Sequence, residues 1–206
     1  MKEKYIFGVI IIKKHLFLTG PSGGGKTTMI RNILGESLSM AGGFVTERVT
    51  DPDGRVTGYI MLPAASAGGV EGFEGLRIMD YTVEPPKTDN EVFRHEGVRL
   101  LEEAQYYPFS LIDEFGGFEL VIPQFRKALG EFLSSGQPII GVLKDSGNAE
   151  ELRCHLGLGE KYQLYVARLR EALEADPDTL IISTPGRGDS KAEKAVREWA
   201  DEYAHA

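Results

Sequence analysis

Apolar positions along the chain fall into two patterns. Short unbroken apolar runs recur at His15–Thr19 (HLFLT), Phe109–Ile112, Pro138–Leu143 (PIIGVL) and Thr179–Ser183 (TLIIS). Runs that short, with no in–out alternation, predict strands buried on both faces. Between them the apolar residues recur every three or four positions. That spacing predicts a helix over Thr27–Met40 (Ile30, Ile33, Leu34, Leu38), ended by Gly42 and Gly43. It predicts others from an Asn90 N-cap to about Gln105, over Phe118–Ser135 closed by Gly136, and over Tyr162–Ala175 stopped by Asp176-Pro177. Ser190-Lys-Ala-Glu193 reads as a capping box opening a last helix, with Ala192, Ala195, Val196, Trp199 and Tyr203 on one stripe.

Two further segments flank an Asp-Gly turn. Phe44–Val49 and Val56–Leu62 flank the turn Asp51-Pro-Asp-Gly54, which predicts a β-hairpin. Pro63–Pro86 reads as loop with one short strand near Leu76–Met79, and Tyr5–Ile12, between lysines, as a further buried strand. The latter falls well short of the ~18 apolar residues that span a bilayer. No convincing small-residue cleavage site follows it. Strands alternating with helices predict an α/β fold with a mostly parallel sheet covered on both faces. The expectation is one domain over residues 1–206, with the hairpin inserted after the first helix.

Composition sharpens this in three ways. Twenty-three Lys and Arg against 31 Asp and Glu leave a net charge of −8, which argues against nucleic acid or an anionic membrane as partner. The single cysteine, Cys154, rules out an intramolecular disulfide and fits a cytoplasmic protein. Glycine is in excess, 25 of 206 residues, and its placement carries the chemistry.

Gly20-Pro21-Ser22-Gly23-Gly24-Gly25-Lys26-Thr27 fits G-x-x-x-x-G-K-[ST], the phosphate-binding loop, between a buried strand and an apolar-periodic helix. Glycines let successive backbone N–H groups point at a phosphate, and the helix N-terminus adds its partial positive charge. Lys26 is expected to reach the β- and γ-phosphates, Thr27 to offer its hydroxyl to Mg²⁺, and Thr28 to approach the α-phosphate. The run Phe109-Ser-Leu-Ile-Asp113-Glu114 ends in two acids at a strand's carboxyl end, the edge where α/β folds bind ligands. Asp113 is the expected metal-holding carboxylate and Glu114 the expected general base for an attacking water. Lys144-Asp145, at the end of PIIGVL, is placed for a γ-phosphate or base contact.

The combination of GPSGGGKTT, GGFVTERV with GRVTGYIML, and LIDEFGGFEL resembles the small nucleoside-triphosphatase family known from thermophiles and from a human cancer-related homologue. The likeness runs through about the first 145 residues. It implies a RecA-like P-loop fold, three-layer α/β/α, and slow Mg²⁺-dependent hydrolysis of ATP, GTP and other triphosphates to diphosphate and phosphate. By position, Gly20 to Thr28 match the family's nucleotide loop, Asp113 and Glu114 its metal and water-activating acids, and Gly116 and Glu119 the segment that follows. The chain departs from the family at Gly117, over the glycine-rich Gly68–Lys87, and in the C-terminal third, where Gly186-Arg187-Gly188 stands in place of an Asn-Arg pair. Arg187 is therefore a candidate to meet the transition-state charge, with Arg48 on the hairpin a second. A phosphotransferase acting on a nucleoside, nucleotide or other small hydroxyl compound is the alternative, and a nucleotide-dependent switch a third reading. Cys154-His155 makes no metal site by itself, and Tyr106-Tyr107 reads as core or rim packing.

Overall fold

A computed structural model describes residues 12–68 and 75–205. In chain order the elements are β1 (His15–Thr19), α1 (Lys26–Leu34), β2 (Ala41–Thr50), β3 (Val56–Pro63), β4 (Leu76–Asp80) and β5 (Lys87–Thr88). Next, α2 (Asn90–Val92) continues through a π-helical turn into α3 (Val98–Glu103). Then follow β6 (Phe109–Phe115), α4 (Pro123–Leu133), β7 (Ile139–Leu143), α5 (Ser146–Leu156), α6 (Glu160–Ala175), β8 (Thr179–Ser183) and α7 (Ser190–Tyr203).

The strands form one sheet in the order β5-β4-β3-β2-β6-β7-β1-β8. The run β2-β6-β7-β1-β8 is parallel, and β3, β4 and β5 add an antiparallel extension beyond β2. Alternate residues of the buried strands feed two cores, as a sheet covered on both faces requires. Leu16 and Leu18 pack with Ile30 and Leu34 of α1 and Val196 and Trp199 of α7. Phe17 points the other way, with Phe115 of β6, Phe125 and Leu129 of α4, and Leu173 of α6. The mostly parallel α/β sheet with helices on both faces is the fold the strand–helix alternation predicts.

Several boundaries differ from that reading. The first helix stops at Leu34, where Gly35 takes a φ of +54°, and a 3₁₀ stretch carries the chain to Met40. Gly42 and Gly43 do not end a helix; they lie inside β2, beside β6. Glycine is needed there for close approach: a Cβ on Gly42 would meet the Ala104 backbone at 2.8 Å, and one on Gly43 the Leu111 carbonyl at 2.5 Å. The hairpin is thus no separate insertion. The first half of β2 is a parallel strand of the sheet, and its second half runs on to pair with β3. The helix expected from Phe118 starts at Pro123, whose fixed φ and missing N–H suit a first helical position. Phe118–Val121 is a separate 3₁₀ turn. The caps are Asp89, not Asn90, and Asp189, not Ser190; Asp89 accepts from the Glu91 N–H, and Asp189 from those of Lys191 and Ala192.

Tyr106 and Tyr107 are exposed rather than packed in the core. Residues 5–11 of the expected strand Tyr5–Ile12 lie outside the described residues, as do residues 69–74 of the glycine-rich segment. Among the described residues no helix is long and apolar enough to cross a membrane.

Candidate active site

The strand order assembles the site. The loop Gly20–Gly25 leaves the carboxyl end of β1 and enters α1. Asp113 and Glu114 stand near the carboxyl end of β6, and β7, lying between β6 and β1, ends at Leu143 just before Lys144. Three parallel strands therefore deliver a phosphate loop, two acids and a lysine to one edge.

The loop is braced from behind by the segment after β8. Thr184 N–H donates to Thr19 O at 2.9 Å and Arg187 N–H to Gly24 O at 2.8 Å. The approach is so close that a Cβ on Gly186 would lie 1.8 Å from the Gly24 carbonyl oxygen, so only glycine fits. Lys26 is buried, and its ammonium donates to the carbonyls of Gly20 (2.8 Å) and Pro21 (2.7 Å). Burial lowers its pKa, opposed by the charges of Glu114 and Asp113.

Asp113 is 2% exposed. Burial pushes its carboxyl up to about 6, while a hydrogen bond from the Thr27 side chain acts in the opposite direction. Its Oδ2 has no hydrogen-bond partner among the described residues. A buried carboxylate oxygen left without a partner, beside a threonine hydroxyl, is the donor set a hard divalent cation takes.

Glu114 follows through a cis peptide, at a point where β6 slips register against β7. Its carboxylate is half-buried and pairs with Lys144, Nζ to Oε2 at 2.6 Å. Its N–H reaches Thr46 Oγ1 of β2 at 3.4 Å. Glu119 is buried, and its Oε1 accepts the N–H groups of Gly116 and Gly117, both at 2.7 Å. Burial raises its pKa. Tyr162 of α6 donates to Gly116 O at 3.1 Å. The turn behind Glu114 is therefore held from two sides.

These groups open onto a cleft of 1020 Å³. Ser22, Lys26, Thr27, Thr28, Asp113 and Glu114 all line it, which brings together most of the residues expected from sequence. Lys144 and Arg48 line it too. Arg48 donates to Ser22 Oγ at 2.8 Å and so lies over the loop. Arg187 sits elsewhere: it is exposed, outside the cleft lining, with its side chain against Gly25. Asp145 caps α5, accepting from Gly147 N–H at 2.9 Å.

Sequence reasoning missed two contributors near the loop and one residue at the far end of the cleft. Arg31 of α1 lines the cleft and pairs with Glu47 of β2 at 2.8 Å. Asn148 of α5 donates to Gly20 O at 3.3 Å. His155, set aside with Cys154, also lines the cleft. The first two lie on helices beside a recognised motif, which is the signal that was there to use. Among the described residues no group of three or more His, Cys, Asp or Glu side chains forms a metal cluster.

The sequence pattern of a family described as NTPase matches residues 15–174. The chain is 30% identical over 154 residues to the nucleoside-triphosphatase THEP1 of Ignicoccus hospitalis, covering 68% of this chain and 84% of that protein. It is 28% identical over 151 residues to the mouse cancer-related nucleoside-triphosphatase homolog, covering 64% and 76%. The Thermococcus kodakarensis THEP1 is 29% identical over 139 residues, covering 62% and 74%. No solved structure matches.

Proposed function

The chain belongs to this NTPase family, and on that footing we propose that it hydrolyses nucleoside triphosphates, ATP and GTP among them, to diphosphate and phosphate with Mg²⁺. In this reading residues 1–206 act as one domain, in the cytoplasm on the strength of the single cysteine. The observation that carries it is the convergence of Lys26, Thr27, Asp113 and Glu114 on one cleft, with a buried Asp113 oxygen left unpartnered.

The backbone of Gly20–Gly25 and the N-terminus of α1 bind the α- and β-phosphates. Lys26 exchanges its contacts with the Gly20 and Pro21 carbonyls for β- and γ-phosphate oxygens. Thr27 and Asp113 would hold Mg²⁺, which when bound supplies charge neutralisation at the β- and γ-oxygens. Glu114 orients a water and accepts its proton as the water attacks the γ-phosphorus, while the bond from that phosphorus to the β–γ bridging oxygen breaks and the electron pair leaves with the nucleoside diphosphate. Lys144 fixes the Glu114 carboxylate in that position through its ion pair, and Glu119 holds the turn behind it. Arg48, over Ser22, is placed to stabilise charge on the γ-phosphoryl group, and Arg187 supports the loop from outside.

Phosphate release from purified protein with ATP or GTP tests the reading directly. Glu114→Gln keeps the side chain's shape and removes the base, so turnover falls by about 10²–10⁴-fold while nucleotide affinity holds. Undiminished turnover in that variant would remove Glu114 from the mechanism.

A further inference from the structure

The cleft is larger than a triphosphate and a water require, at the top of the range of about 300–1,000 Å³ typical of small-molecule pockets. Its walls change character along their length. The phosphate end carries Lys26, Arg31, Arg48 and Lys144. The far end is aromatic. One wall is the antiparallel extension of the sheet: Tyr59 on β3 stands directly opposite Arg48 on β2, and Met79 on β4 opposite Tyr59. The other wall is α5, whose Asn148, Glu151, Leu152 and His155 face the cleft at helical spacing. Tyr81 links the walls, its ring 6.1 Å from Tyr59 and 5.5 Å from His155, centroid to centroid, edge to face.

Helix α5 gives the scale. Asn148 touches the phosphate loop, and His155 is seven residues further on, about 10 Å along the axis at 1.5 Å per residue. The direction matters equally. Thr28 and the loop amides take the α- and β-phosphates, whereas the γ-phosphate points at Lys26, Asp113 and Glu114. The base of a nucleotide hangs from its α-phosphate. The aromatic arm therefore continues past the γ end, where the same nucleotide's base does not reach.

We infer that this arm binds a second small molecule beside the nucleotide: a planar heterocycle bearing hydroxyl groups, the chemistry of a nucleoside. This rests on a triphosphate occupying the loop. The rings of Tyr59, Tyr81 and His155 offer stacking surface to the heterocycle. The carboxylates of Glu84 and Glu151, both on the cleft lining, accept from its hydroxyl or amino groups.

The test is titration calorimetry on the full chain, with adenosine, guanosine and cytidine added to protein saturated with Mg-ADP. At least one nucleoside binds as a second equivalent. Tyr81→Ala and His155→Ala each weaken that binding ten-fold or more, and Tyr81→Phe, which keeps the ring, retains it. In all three variants the Mg-ADP affinity stays within about two-fold of wild type, which reports an intact fold and loop. Binding of none of the three nucleosides overturns the inference. So does competition between nucleoside and ADP, with Tyr81→Ala weakening ADP, because the arm would then hold the nucleotide's own base. Failure of the protein to bind Mg-ADP at all would instead refute the proposed function.

Discussion

Asp113 is buried with one oxygen unpartnered, and its carboxyl is pushed from 3.8 up to about 6. A shift of about two units, at 1.36 kcal/mol each, means that ionising Asp113 costs the nucleotide-free fold about 3 kcal/mol. Asparagine has nearly the same shape and no charge. Allowing about 1 kcal/mol for a buried amide with incomplete hydrogen bonding, Asp113→Asn gains about 2 kcal/mol at pH 7.5. In a chain of this size that raises Tm by about 4–8 °C. The sign follows from linkage: the folded state binds the proton more tightly than the unfolded chain does. The penalty is therefore absent below 3.8, grows as pH rises, and is complete above about 6. The variant's advantage should be full at pH 7.5 and vanish near pH 4.5. Thermal and urea denaturation at both pH values, in EDTA without nucleotide, measures it. The variant should also lose the extra stability that Mg-nucleotide confers on the wild type. A variant no more stable than wild type at pH 7.5, or equally advantaged at both pH values, would refute the reasoning.

Other outcomes follow from the same geometry. Glu119→Ala leaves the N–H groups of Gly116 and Gly117 without their acceptor in a buried turn. It should cost about 1–3 kcal/mol by urea denaturation and lower kcat, because Glu114 loses its support. An unchanged midpoint would show that the turn holds itself. Arg48→Ala should lower kcat by about 10²-fold with KM little changed, whereas Arg187→Ala should raise KM several-fold and leave kcat within about three-fold. Steady-state kinetics with ATP would separate the two arginines, and the opposite pattern would transfer the transition-state role to Arg187.

What was legible in the sequence was local. The phosphate loop is eight consecutive residues between a strand and a helix, and the two acids close a short apolar run. What escaped was decided by contacts distant in sequence. Gly42-Gly43 looks like a helix stop, yet its glycines are demanded by Ala104 and Leu111, some 60 residues on. Helix α5 has only Ala149 fully buried, so it shows no apolar stripe; Asp145 and the left-handed Gly157 were its only marks. Asp189 and Ser190 are both good caps, and sequence alone does not choose between them. The Lys144–Glu114 pair joins residues on the ends of two neighbouring strands.

The strand order supplies what the motifs lack. Neighbouring strands lie about 4.8 Å apart, so with β7 between them β1 and β6 stand about 10 Å apart. Lys144, at the end of the interposed β7, reaches Glu114 across that space. The same order puts β2 on the far side of β6, so its extension carries Thr46 and Arg48 back over the acids and the loop. The motifs supply the candidate groups; the order of the parallel strands sets the spacing at which the phosphate loop, the two acids and Lys144 face one cleft.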